Sequence, residues 1–167
     1  RYYQGNQIVD EVEKLAIERA KKLFKVQHAN VQPYSGSPAN MAVLFALCEP
    51  QDVIMGMELA SGGHLTHGHP KITFSGKYFK SVQFGVDRYG KVDYDAVLEL
   101  ALKARPRLLL IGTTAYPRVL DWQKFGEIAS RVGAYLIADI SHVAGLVVGG
   151  VYPSPVPFAD VVTTTTH

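Results

Sequence analysis

The first stretch of the chain carries apolar residues at Ile8, Val12, Leu15, Ala16, Leu23 and Phe24, with Asp10, Glu11, Glu13, Lys14, Glu18 and Arg19 between them. That spacing predicts an amphipathic helix over 7–24. Its acids come early and Arg19, Lys21 and Lys22 come late, as the helix dipole favours. Further on the pattern shortens. Apolar runs of strand length occupy 52–57, 82–84, 107–112 and 135–138, and 29–32 has the composition of one more short strand. Helical spacing fills 41–47, 93–104 and 121–131, the last opened by Asp121 and closed by Gly133. Ser75-Gly76 reads as a turn, and the terminal Thr163-Thr164-Thr165-Thr166-His167 run as a strand closing on a polar tip. Such alternation predicts an α/β fold with a largely parallel sheet and helices on both faces. Four strand tips then converge on one edge, bringing Ser35–Ser37, His64, Thr114, and Asp139 with His142 towards each other.

Composition narrows the class. With 167 residues, 47% apolar and 19% charged, the chain describes a soluble globular domain or the larger part of one. A net charge of +2 without a basic stripe argues against nucleic acid. No apolar run reaches the roughly 18 to 20 residues that cross a bilayer, and the N-terminus has no signal-peptide core. The single cysteine, Cys48, excludes an internal disulfide framework, fits a reducing compartment, and reads as a small buried hydrophobe. Both ends look cut: Arg1 stands where an initiator Met is expected, and the chain halts on His167.

Three segments carry candidate chemistry. Asp139 follows an apolar strand directly, where open α/β sheets place their ligands, and a carboxylate there needs a cation, a metal or a protonated ring nitrogen facing it. A helix cap, a magnesium ligand beside a nucleotide, or a ribose contact would use the same position. Ser35-Gly36-Ser37 leads into a helix, with Ser37 suited to the N-cap and Pro38 to the first helical position. Its hydroxyls and free N–H groups make an anion cradle suited to phosphate, or an ordinary capped start. It lacks the spacing of a dinucleotide fingerprint or a P-loop. His64, His67 and His69 raise the question of a metal, which the absence of a nearby Cys or carboxylate disfavours. A solvated loop, or an imidazole lying flat on an aromatic ring beneath a close-approaching Gly-rich backbone, are the alternatives.

Taken together and in order, Ser-Gly-Ser-Pro-Ala-Asn, Gly-Gly-His-Leu-Thr-His-Gly, Ala-Asp-Ile-Ser-His-Val-Ala-Gly-Leu and Val-Thr-Thr-Thr-Thr-His closely resemble serine hydroxymethyltransferase over essentially the whole chain. The resemblance implies the aspartate aminotransferase fold, pyridoxal 5'-phosphate carried on a lysine, and interconversion of serine and glycine with tetrahydrofolate as cosubstrate. It implies that Asp139 pairs with the pyridine nitrogen, that His64 stacks on the ring, and that Ser35, Gly36 and Ser37 hold the phosphate. Thr114 and His142 would lie near the phenolic oxygen, Thr165 and His167 beside the lysine. Tyr3 resembles the tyrosine that enters the neighbouring subunit's site, implying a cytoplasmic homodimer with shared sites.

The resemblance also implies that the lysine follows His167, so that 1–167 is most of the cofactor domain, without the smaller C-terminal one, and is inactive as an isolated piece. Pro38 and Ser61 stand where Gln and His are expected. A threonine aldolase or related pyridoxal-phosphate lyase is the alternative enzyme, and a non-catalytic phosphate-ligand module the alternative outside enzymes.

Overall fold

Short apolar runs separated by capped helices leave a chain one economical way to bury both faces of each strand, which is a parallel sheet with crossovers. The computed structural model describes residues 2–167, and Arg1 lies outside them. It has five strands: β1 (Val53–Met57), β2 (Lys80–Phe84), β3 (Leu108–Gly112), β4 (Tyr135–Asp139) and β5 (Val161–Thr163). Every pairing is parallel, in the spatial order β2-β1-β3-β4-β5. The chain leaves β1 to one side for β2 and to the other for β3. The loops after β1 and β3 therefore part at the carboxyl edge, the place where such sheets hold ligands.

Six α-helices accompany the strands among the described residues: α1 (Gln7–Phe24), α2 (Gly36–Leu47), α3 (Phe74–Tyr78), α4 (Tyr94–Ala104), α5 (Trp122–Val132) and α6 (Ala144–Val148). On one face Leu44 and Cys48 from the end of α2 pack on Ile54, Leu108, Leu110 and Ile137. On the other, α5 presents Phe125 to Phe84 at 5.9 Å and to Tyr94 of α4 at 5.2 Å between ring centroids. Helices on both faces are thus present as expected. Asp93 starts α4 by accepting from the Asp95 and Ala96 amides, and Asp121 starts α5 by accepting from Lys124. Gly133 ends α5 in the left-handed region, with φ 69°.

The molecule divides into a unit ending at Tyr34 and a second unit from Ser35 to His167. The first is α1, closed by Lys25 in the left-handed conformation, with a tail that folds back through Gln32 Nε2 donating to Glu13 Oε1 at 2.8 Å. The short strand expected at 29–32 is absent, because Gln32 N donates to the Asn30 side chain at 2.9 Å in a local turn. Within the second unit, Ser75-Gly76 is not a turn but part of α3. The buried Ser75 hydroxyl accepts from Gly68 N, so packing overrides local turn preference.

Cys48 closes α2 and is buried. Burial first, and the Asp52 carboxylate second, push its thiol up to about 11, with Arg107 pulling the other way. Since the thiolate is the reactive form, folded protein is expected to resist iodoacetamide at about pH 8, while urea-unfolded protein is alkylated. Equal mass-spectrometric labelling of the two states would contradict the placement.

Candidate active site

The helix that opens the second unit begins two residues earlier than its sequence suggests. Ser35, not Ser37, holds the N-cap position, and Pro38 is the third helical residue, not the first. Pro38 is tolerated there because an N–H at that position has no helical partner to lose. The Ser35 side chain makes no cap bond to the helix. Its hydroxyl is therefore available beside the leading amides of Gly36 and Ser37. A Cβ built on Gly36 would stand 3.5 Å from Ser141 Oγ and 3.6 Å from Thr165, so this turn lies against the ends of β4 and β5.

Asp139 is the last residue of β4 and is 8% exposed. Its Oδ1 accepts from Ser141 N at 3.0 Å and Ser141 Oγ at 2.6 Å, closing the kind of local turn a strand-end acid commonly makes. Its Oδ2 does something else: it accepts from Asn40 Nδ2 at 2.7 Å and His67 Nε2 at 2.9 Å. Burial pushes this carboxyl's pKa up, but the His67 hydrogen bond and charge, with the Ser141 and Asn40 bonds, outweigh it. Asp139 is held well below the usual carboxylate range.

The network extends to His64. Asn40 Nδ2 also donates to Thr66 Oγ1 at 2.9 Å, and Thr66 Oγ1 lies 2.8 Å from His64 Nδ1. Thr66 N donates to the same nitrogen at 3.2 Å, which makes Nδ1 an acceptor and leaves the ring proton on Nε2. Burial first and His67 next lower the His64 pKa, Asp139 opposes, and His142 adds to the lowering. His64 is therefore kept neutral.

The other predicted residues of the second unit lie in the segments that follow strands β1, β3, β4 and β5. Thr114 N donates to Gly62 O at 2.8 Å, joining the tip of β3 to the Gly-rich loop after β1. The rings of His142 and His167 are 5.6 Å apart, and His167 Nε2 donates to Ser141 O at 3.2 Å. Only Thr163 of the threonine run belongs to β5, and Thr164 to His167 lie past the sheet, at its carboxyl edge. Ser61, where His was expected, donates to Glu58 Oε1 at 2.7 Å. Tyr3 belongs to the other unit, where its carbonyl accepts from Asn6. The three histidines of the loop diverge: His67 Nε2 faces Asp139, His64 Nδ1 faces Thr66, and His69 Nδ1 accepts from Lys71 N at 3.4 Å.

Sequence reasoning missed Asn40, Thr66 and Ser141 beside the acid, and weighed His67 only as a metal ligand. Asn40 had a signal in being the one polar residue in an otherwise apolar stretch over 39–47, and His67 had one in the histidine-rich loop. Two buried side-chain polar atoms among the described residues lack a partner, His67 Nδ1 and Thr164 Oγ1, and both belong to segments at this carboxyl edge. A groove of about 540 Å³ lined by Gln123, Glu127, Arg131 and Phe158 contains none of these side chains. Chemistry, not concavity, locates the site.

The profile of the serine hydroxymethyltransferase family matches residues 1–167. The chain is 61% identical over 168 residues to the serine hydroxymethyltransferase of Legionella pneumophila, 59% identical over 167 residues to that of Dichelobacter nodosus, and 56% identical over 167 residues to that of Desulfotalea psychrophila. Each match covers 100% of this chain, which spans 39% to 40% of the length of those relatives.

Proposed function

The chain belongs to the serine hydroxymethyltransferase family, and from that premise we propose that the intact protein interconverts serine and glycine. In this reading it moves the one-carbon unit to and from tetrahydrofolate and uses pyridoxal 5'-phosphate as cofactor. The observation that carries the proposal is Asp139, buried at a strand's carboxyl end and accepting four hydrogen bonds, with a helix start of uncommitted polar groups lying against the neighbouring Ser141. These residues fit the cofactor. A carboxylate held ionised suits a protonated ring nitrogen, a neutral imidazole adds no like charge above such a ring, and a helix N-terminus suits a phosphate.

When bound, pyridoxal phosphate supplies an electron sink for charge developing at the substrate Cα. The protein's own residues do the rest. Asp139 keeps the ring nitrogen's proton in place, and His64 offers its face to the ring. Ser35, Gly36 and Ser37 grip the phosphate. Of the four donors around Asp139, the Ser141 hydroxyl rotates most freely and is the one an incoming N–H can replace. Thr114 and His142 orient the cofactor's phenolic oxygen, Thr165 and His167 flank the lysine that carries it, and Tyr3 serves the partner subunit's site in a cytoplasmic homodimer.

The test is conversion of serine to glycine by purified intact protein, followed with and without tetrahydrofolate and added pyridoxal phosphate. Dependence on both is expected. Cleavage of a β-hydroxy amino acid at an unchanged rate without folate would replace the transferase with an aldolase, and indifference to pyridoxal phosphate would remove the proposal altogether.

A further inference from the structure

Asn40 is 2% exposed and lies one helical turn below Gly36, on the same face of α2. Its amide uses three bonds to three separate parts of the chain. Nδ2 donates to Asp139 Oδ2 at 2.7 Å and to Thr66 Oγ1 at 2.9 Å, and Oδ1 accepts from Thr163 Oγ1 at 2.7 Å. The orientation is forced, since a flipped amide would aim its oxygen at a carboxylate oxygen. One side chain therefore links β4, the loop after β1 and β5 to the helix whose start forms the anion cradle.

We propose that Asn40 is a positioning residue for the cofactor: it sets the ring acid against the phosphate cradle and, through Thr66, fixes the imidazole of His64. The inference rests on the functional reading above and deepens it. The rival explanation is a buried polar network that only holds the core together. Two features speak against it. One of Asn40's bonds goes to the charged group, where a hydrogen bond is worth most. The remaining donor reaches His64 through one hydroxyl, so both groups assigned to the ring depend on one amide.

Asn40→Asp separates the two explanations. It keeps shape but sets a second carboxylate against Asp139, and two such neighbours cannot both ionise. When the new side chain is protonated it donates to Asp139 as the amide did; when it ionises it repels. The titratable groups facing this point are Asp139 on β4, His67 and His64 on the loop after β1, and His142 after β4. Asn40→Leu, which adds no titratable group, reports what their own titration contributes, and the pH dependence of Asn40→Asp beyond that of Asn40→Leu reports the coupled pair.

The measurement is fluorescence titration of the intact apoprotein with pyridoxal phosphate from about pH 5.5 to 8.5, a window centred near the ordinary histidine pKa. Asn40→Leu is expected to weaken binding about tenfold or more at every pH, the worth of a hydrogen bond to a charged group. Asn40→Asp is expected to bind close to wild type at the acid end and to lose at least about tenfold towards the alkaline end. Thr163→Val breaks the third bond while leaving the acid untouched, and is expected to lower the melting temperature with less than about a twofold change in affinity. A pH-independent ratio of Asn40→Asp to Asn40→Leu affinity, or equal affinity losses for Thr163→Val and Asn40→Leu, would overturn the positioning role. Wild-type apoprotein that fails to bind pyridoxal phosphate would overturn the functional reading and this inference with it. Binding by wild type with unaffected Asn40 variants would overturn the inference alone.

Discussion

Asp139→Ala is expected to lower kcat/KM of the intact protein by on the order of 10²- to 10³-fold, the usual loss when one fixed electrostatic partner of the reacting system is removed. The same change leaves the Asn40 amide and His67 Nε2 buried without their acceptor. Stability should fall by about 3 kcal/mol, the range for orphaned donors of a buried charged network. Asp139→Asn separates the two effects, because it fills the space but cannot remain an anion. Its stability relative to wild type should also depend on pH with a definite sign. The folded-state pKa of Asp139 is depressed, so its contribution is full above the ordinary carboxylate pKa of about 4 and is lost as pH falls through the folded value. Urea melts should therefore show the gap between wild type and Asp139→Asn widest near neutrality and shrinking below about pH 4. A gap that grows in acid would mean that the native carboxyl is protonated.

Gly112→Ala is expected to be strongly damaging, because it sets a methyl group against Asp139 itself. Gly112 pairs with Asp139 across β3 and β4. A Cβ there would stand 2.2 Å from Asp139 O and 2.8 Å from Asp139 Cβ. Neither is the end of a flexible side chain, so a central strand must move. About 3 kcal/mol of stability should be lost, at the upper end for overpacking, and on the proposed reading, in which Asp139 faces the cofactor ring, cofactor affinity should fall with it. Gly145→Ala is the control. A Cβ at Gly145 meets nothing within 4 Å, so its melting temperature should stay within a degree or two of wild type, on the order expected for a surface change of about 0.5 kcal/mol. Comparable losses at both glycines would show that the β3–β4 contact is not what constrains position 112.

The sheet was legible because its signals are local. Asp93, Asp121 and Gly133 mark helix ends by their own side-chain and backbone chemistry, and the apolar runs at 107–112 and 135–138 need no partner to be recognised. The errors fell where a neighbour decided the outcome. Ser35 displaced Ser37 as the cap, Asn30 drew the Gln32 amide away from a strand, and Ser75 was drawn into a helix by Gly68. Strand tips pointed to Asp139 and His64 as candidates, but nothing local showed which residues support them. His67 reaches Asp139 across 72 residues of sequence and Asn40 across 99. No periodicity encodes a hydrogen bond of that span. A single polar residue in an apolar helix was the only trace that Asn40 left.

The strand order β2-β1-β3-β4-β5 has a bearing on how the chain assembles as it leaves the ribosome. Once β1 and β2 have paired, each later strand joins the same growing side in the order in which it is synthesised. The growing side of the sheet thus presents an unfinished rim at every stage, first along β1, then β3, then β4. A rim of unpaired backbone is a template for stray partners. It is at its most apolar along β3, whose five residues are all buried in the finished fold, so the interval before β4 emerges is when chaperone cover matters most.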